Sequence, residues 1–176
     1  LDQFTLETAQ AHVTGRAVLD PAGWPRSVDI LADVAGQEGT VTLPSGLQFG
    51  AARLRATHDL ADGPEWRIEG SLSDLRAEAA TLSAATLAGR GVLDRAEDLS
   101  VSRASGAVQF SAEGLTLTDT ALQEALGDRL AGGLRFDHQP GTALQVADLR
   151  VALDGATLTG QGAVGADLDW DLDLAL

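Results

Sequence analysis

Five residue types are missing from this chain: cysteine, methionine, tyrosine, lysine and asparagine. Without cysteine there is no thiol nucleophile, no cysteine-ligated zinc and no disulfide. That names no compartment, since a cysteine-free protein works in the periplasm as well as in the cytosol. Without lysine, all twelve basic residues are arginine, against 26 acidic ones, and the net charge is −14. This balance opposes nucleic-acid binding, which needs cations against phosphate. It also opposes electrostatic docking on anionic lipid headgroups. No apolar run approaches about 18 residues, roughly what a membrane-crossing helix needs. No basic segment leads into an apolar one as in a signal peptide. The 176 residues therefore read as a cut-out from a longer chain or a processed product, with any anchor outside them.

Aromatic residues are scarce as well, at 4%, yet hydrophobic residues reach 44% and there are 20 glycines. The apolar mass is alanine, leucine and valine, too much for a chain disordered by composition. Its dominant pattern has period two, the spacing of a half-buried strand. Val28, Ile30, Ala32 and Val34 share one face, as do Leu47, Phe49 and Ala51, and Val108, Phe110 and Ala112. Leu115 and Leu117 continue it, then Leu144 and Val146, then Leu149, Val151 and Leu153. Turn residues punctuate these runs at 20–25, 43–46, 61–65 and 138–141,. Many short strands joined by turns predict a largely antiparallel sheet with one polar face.

One stretch breaks the alternation. TALQEALGDRLAGG, 120–133, spaces Leu122, Leu126 and Leu130 four apart. Thr120 and Gln123 have capping-box spacing, and Gly132 and Gly133 suit a helix stop. The expectation is one short helix near 120–131. Residues 74–85 are alanine-rich, but the repeats described next favour a strand there.

AHVTGRAVLD (11–20), ATLAGRGVLD (85–94) and ATLTGQGAVG (156–165) share one formula. Asp-Leu-Arg recurs at 74–76 and 148–150. These spacings predict units of 1–74, 75–148 and a partial 149–176, in a sheet that grows by repetition.

Few residues suggest chemistry. GQGAVG, 160–165, matches the dinucleotide fingerprint, but that motif needs a strand before it and a helix after it, and here a strand follows. In DLDWDLDLAL, 167–176, Asp167, Asp169, Asp171 and Asp173 alternate with Leu168, Trp170, Leu172 and Leu174. Alternate strand residues stand about 6.6–7 Å apart, so the carboxylates form a row and not the converging cage that Ca²⁺ requires. His12, His58 and His138 are scattered, and a metal site needs a cluster. No metal, cofactor or catalytic set is expected, and the chain does not read as an enzyme.

Three stretches carry a resemblance. They are Leu-x-Gly-x-Gly-x-Leu-Asp at 87–94, FSAEGLTLTDTALQEALGDRLAGGLRFD at 110–137, and LQVADLRVALDGATLTGQGAVGADLDWDLDLAL at 144–176. In pattern the chain resembles the TamB translocation-and-assembly-module proteins, within the AsmA-like group of Gram-negative bacteria. The resemblance implies that 1–176 is a single interior, periplasmic segment of an inner-membrane-anchored protein, built as a long curled sheet, the β-taco, with an apolar inner groove. It implies phospholipid acyl chains as partners, moving toward the outer membrane. It also implies support of outer-membrane protein assembly, with a BamA- or TamA-type protein contacted elsewhere along the chain. The residues expected to line the groove are Leu115, Leu117, Val151, Leu153, Leu158, Leu168, Trp170, Leu172 and Leu174. The alternative is a structural β-module of a secreted surface protein, an adhesin or autotransporter passenger. Those usually repeat near 20 residues with Asn or Gly ladders; this chain has no Asn and a unit near 74.

Overall fold

The computed structural model describes residues 3–20, 25–35, 39–43, 46–165 and 170–175. The strands are Phe4–Glu7 (β1), Ala11–Leu19 (β2), Pro25–Ala35 (β3), Val41–Thr42 (β4), Gln48–Phe49 (β5), Ala51–Asp59 (β6), Glu65–Arg76 (β7), Ala80–Arg95 (β8), Val101–Glu113 (β9), Thr116–Leu117 (β10), Arg129–His138 (β11), Leu144–Leu153 (β12), Thr157–Val164 (β13) and Trp170–Ala175 (β14). One helix, α1, spans Thr120–Leu126. The protein is mainly β, and its strands form one antiparallel sheet of 14 that does not close. The main path runs β1-β2-β3-β6-β7-β8-β9-β11-β12-β13-β14. β4 pairs with β5, β5 also pairs with β7, and β10 pairs with β8.

The strands fall into two like groups. β2, β3, β6 and β7 form one, with β4 and β5 as an excursion after its second strand; β8, β9, β11 and β12 form the next, with β10 and α1 in the same place. Both copies of Asp-Leu-Arg sit late in the fourth strand or within it. Asp74 and Asp148 share the same left-handed backbone, with φ of 53° and 52°. Aspartate tolerates this conformation better than most side chains. At Asp148 the ladder slips by one residue, a β-bulge, so the inward positions change from Leu144 and Val146 to Leu149, Val151 and Leu153,. The stretch 74–85 forms no helix and is strand on both sides of a turn, in line with the strand expected there. β7 runs to Arg76, a turn follows in which the Ala77 amide donates to the Ala80 carbonyl at 2.8 Å, and β8 begins.

The helix is shorter than expected. It ends at Leu126, and Gly127 turns the chain with φ 74°. Asp119, not Thr120, caps it: its carboxylate accepts from the amides of Ala121 (2.9 Å) and Leu122 (3.1 Å). Gln123 does not reach back to the cap. It accepts from the Leu117 amide at 2.6 Å and donates to the carbonyls of Leu115 (3.2 Å) and Gly127 (2.8 Å). Residues 129–133 join β11 because they pair on both sides there. Leu130 stands opposite Ala112 of β9 and Leu153 of β12. Two ladders satisfy more backbone groups than one further helical turn would.

The register sorts side chains by face, since directly paired residues point the same way. One row across the sheet reads Ala32, Leu54, Gly70, Leu87, Phe110, Gly132, Val151 and Leu158. The opposite face carries the ion pairs: Arg53 with Asp33 at 3.1 Å, Arg55 with Asp29 at 3.5 Å, Arg103 with Asp137 at 2.6 Å and Arg135 with Asp148 at 3.4 Å. The alternation read over Leu47, Phe49 and Ala51 splits. Phe49 is buried in β5, whereas Ala51 opens β6 on the polar face, opposite Ser73.

Candidate functional site

Among the described residues, no second layer lies over the apolar face. Among the described residues, the buried apolar side chains are Val41, Phe49, Val101, Ala112, Val146 and Val164, and no side chain is wholly sealed from solvent. Elsewhere on this face the leucines and valines are half-buried, and Leu54 and Leu6 are 41% and 57% exposed. A sheet face of this kind normally packs against another element. Here the seven-residue α1 has its main contacts with β10. Over β3, β6, β7 and β8 the apolar face is dished into a trough of about 390 Å³, lined by Ala32, Val34, Ala52, Leu54, Leu72 and Leu87. Small residues leave the space: Ala32 is opposite Leu54, and Gly70 lies between Leu54 and Leu87.

Beside the trough the face is filled. Trp66 lies across two strands to meet Phe136, with ring centroids 5.8 Å apart. Gly91 of β8 and Gly106 of β9 make this possible. A Cβ on Gly106 would stand 2.5 Å from Trp66 Cζ2, and one on Gly91 would stand 2.8 Å from its Cε2. The indole N–H donates to the Ser105 carbonyl at 3.3 Å. Gly132 makes room for the Phe110 ring in the same way. The Gly-x-Gly at 89–91 is thus part of a floor for the Trp66 ring, whereas Gly160 of GQGAVG lies within β13 against Leu174 and Leu149. At the strand ends nearby, buried His58 places Nδ1 2.9 Å from the Glu65 carbonyl, so that nitrogen carries the proton,. Arg95 lies 3.5 Å from His58 Nε2 and donates to the carbonyls of Leu99 (2.7 Å) and Pro25.

The structure gathers some of the expected groove residues and scatters others. Val151, Leu153 and Leu158 are half-buried neighbours on the apolar face, with Val151 opposite Leu158. Leu174 is on the same face opposite Gly160 and is 53% exposed. Leu115 and Leu117 belong to the β10 excursion instead, Leu117 opposite Ala80. Leu168 lies outside the described residues, as do the side chains of Trp170 and Leu172, whose backbones form part of β14. Of the aspartate row, Asp171 and Asp173 are exposed, while Asp167 and Asp169 are outside the described residues. No group of metal-binding side chains forms among the described residues. The trough residues Leu54, Leu72 and Leu87 and the ring pair Trp66 and Phe136 were not anticipated. Trp66, Ile68, Gly70 and Leu72 do alternate with charged and hydroxyl residues, a period-two signal as plain as those that were used.

No family model, curated protein or solved structure matches the chain.

Proposed function

We propose that this chain is a stretch of a TamB-like, AsmA-like envelope protein, and that its apolar face guides phospholipid acyl chains across the periplasm. The observation that supports this reading is the uncovered apolar face, which continues row after row along an eleven-strand path. Each CH₂ moved from water onto such a face contributes about 0.8 kcal/mol. A few contacted methylenes therefore hold an acyl chain without a charged anchor, which suits a chain of net charge −14. The inner-membrane anchor, the support of outer-membrane protein assembly and contact with a BamA- or TamA-type protein belong to the same proposal, through parts of the protein beyond this segment. In this reading the chain is a conduit and not an enzyme.

The test places a photo-crosslinking residue at Leu54 or at Arg55. These neighbours in β6 point to opposite faces: Leu54 into the trough, Arg55 toward Asp29. In cells carrying the full-length protein, crosslinks to phospholipid should form from 54 and not from 55. Leu54→Asp should weaken that lipid capture, because a carboxylate beside hydrocarbon costs several kcal/mol to desolvate. Equal crosslinking from the two positions, or none from 54, returns the chain to a structural β-module.

A further inference from the structure

The polar face has a hollow of its own. Over β8, β9, β11 and β12 it is concave, with a volume of about 930 Å³. Ala107, Ala131 and Gly133 line its floor, side chains too short to fill the space between the longer ones around them. Three arginines, Arg90, Arg135 and Arg150, stand at its margin, all exposed.

Their placement follows from the register. Arg90 is opposite Ala107, and Ala107 is opposite Arg135. Strands lie about 4.8 Å apart, so the two arginine backbones stand roughly 10 Å apart with only a methyl group between them. Arg150 is opposite Gly133, two residues along β11 from Arg135. Arg135 pairs with Asp148 at 3.4 Å, whereas the guanidiniums of Arg90 and Arg150 have no hydrogen bond or ion pair among the described residues. Three guanidiniums and one carboxylate leave the hollow at +2, inside a chain of −14. One row beyond Arg150, at the end of the hollow away from Arg90, lies a second set of donors. The hydroxyls of Thr86 and Ser111 are 2.8 Å apart, so one of them keeps its proton for another acceptor, and the Gln109 amide is beside them.

We propose that this hollow is a binding site for a phosphomonoester, gripped by Arg90, Arg135 and Arg150. The chemistry is matched in charge and in shape. A phosphomonoester carries about −1.5 to −2 at pH 7 and three strong acceptor oxygens. Guanidinium forks bond such oxygens two at a time. A carboxylate would neutralise only half of the local charge. The volume exceeds that of a bare phosphate, leaving room for the group that the phosphate esterifies. The site is on the face opposite the trough and does not depend on the proposed conduit.

Calorimetry with glycerol 3-phosphate tests it, with acetate as the monoanion and phosphatidylcholine vesicles with and without phosphatidic acid as the lipid-borne source. Saturable binding of glycerol 3-phosphate, or of the phosphatidic acid vesicles, is expected, and whichever of the two binds tighter at equal phosphate identifies the source. Arg90→Gln and Arg150→Gln should each weaken it about tenfold, the loss of one hydrogen-bonded charged partner. Asp148→Asn should tighten it, since asparagine keeps the left-handed backbone and the hollow rises from +2 to +3. Lowering the pH from 7.5 to 5 should weaken it, because the phosphate sheds its second charge near pH 6 while guanidinium keeps its own. Non-specific attraction moves the other way, since the protein's own negative charge falls. No saturable binding of either phosphate source overturns the proposal. So does acetate binding as tightly, or arginine variants that bind like the parent.

Discussion

Trp66 depends on two residues that have no side chain. Its ring crosses β8 and β9 over Gly91 and Gly106 to reach Phe136. Gly106→Ala would set a methyl 2.5 Å from the indole and 2.6 Å from the Arg90 carbonyl. The ring and the backbone cannot both yield, and overpacking of this kind costs about 1–3 kcal/mol. Gly70→Ala is the contrasting case. There the nearest atom, Leu54 Cδ1, is 3.4 Å away, an ordinary contact. The substitution should be neutral or stabilise by up to about 1 kcal/mol, through lower entropy in the unfolded chain. Urea melts of the two variants check the pair. Equal midpoints would mean that Trp66 is not seated on a glycine floor.

At the scale of elements, α1 is too short to stand alone, since isolated helices below about 12 residues are marginal in water. Its seven residues hold because Asp119 caps the first turn and Gln123 ties it to Leu115, Leu117 and Gly127. Asp119→Ala removes both cap bonds, a loss of about 1 kcal/mol. Because α1 has its main contacts with β10, the damage should stay local. Hydrogen exchange should quicken at the amides of Ala121 and Leu122, with protection across β8 and β9 unchanged. Loss of protection in those strands would show that the excursion supports the sheet. The leucine spacing announced this helix. Its end was not legible, because Leu130 fits a helical stripe and a strand ladder equally well. Its partners, Ala112 and Leu153, lie 18 and 23 residues away.

For the whole molecule, stability against pH follows two opposed terms. At pH 7 the −14 net charge pushes the sheet apart,. Lowering the pH toward the isoelectric point near 4.3 relieves this. Against it stand carboxylates held below their usual range. Asp59 is lowered by the Ala61 amide and then by the Ser27 hydroxyl, and Asp98 by the hydroxyl and amide of Ser100. A depressed carboxyl stabilises above its unfolded value and loses that contribution as pH falls through its folded one. The loss thus begins below about 3.9, the ordinary aspartate value. The melting temperature should rise or hold from pH 7 to about 5, then fall below about 4. A scan by circular dichroism decides it, and a steady decline from pH 7 to 5 would mean that self-repulsion is unimportant here.

The sequence by itself determined the class of the fold and the two-sidedness of its strands. Period-two alternation is written in neighbouring residues, and it places Leu149, Val151 and Leu153 on one face without knowledge of any partner. Even the bulge in β12 leaves a trace, where inward positions change from even numbers at Val146 to odd numbers at Leu149. The tertiary structure alone decided where that face is hollow and where it is full. The trough exists because Gly70 falls between Leu54 and Leu87, and the neighbouring region is filled because Gly91 and Gly106 fall beneath Trp66. These are facts of register between strands. Register depends on every turn and bulge along the chain, and one residue of slip would turn each strand's apolar side outward.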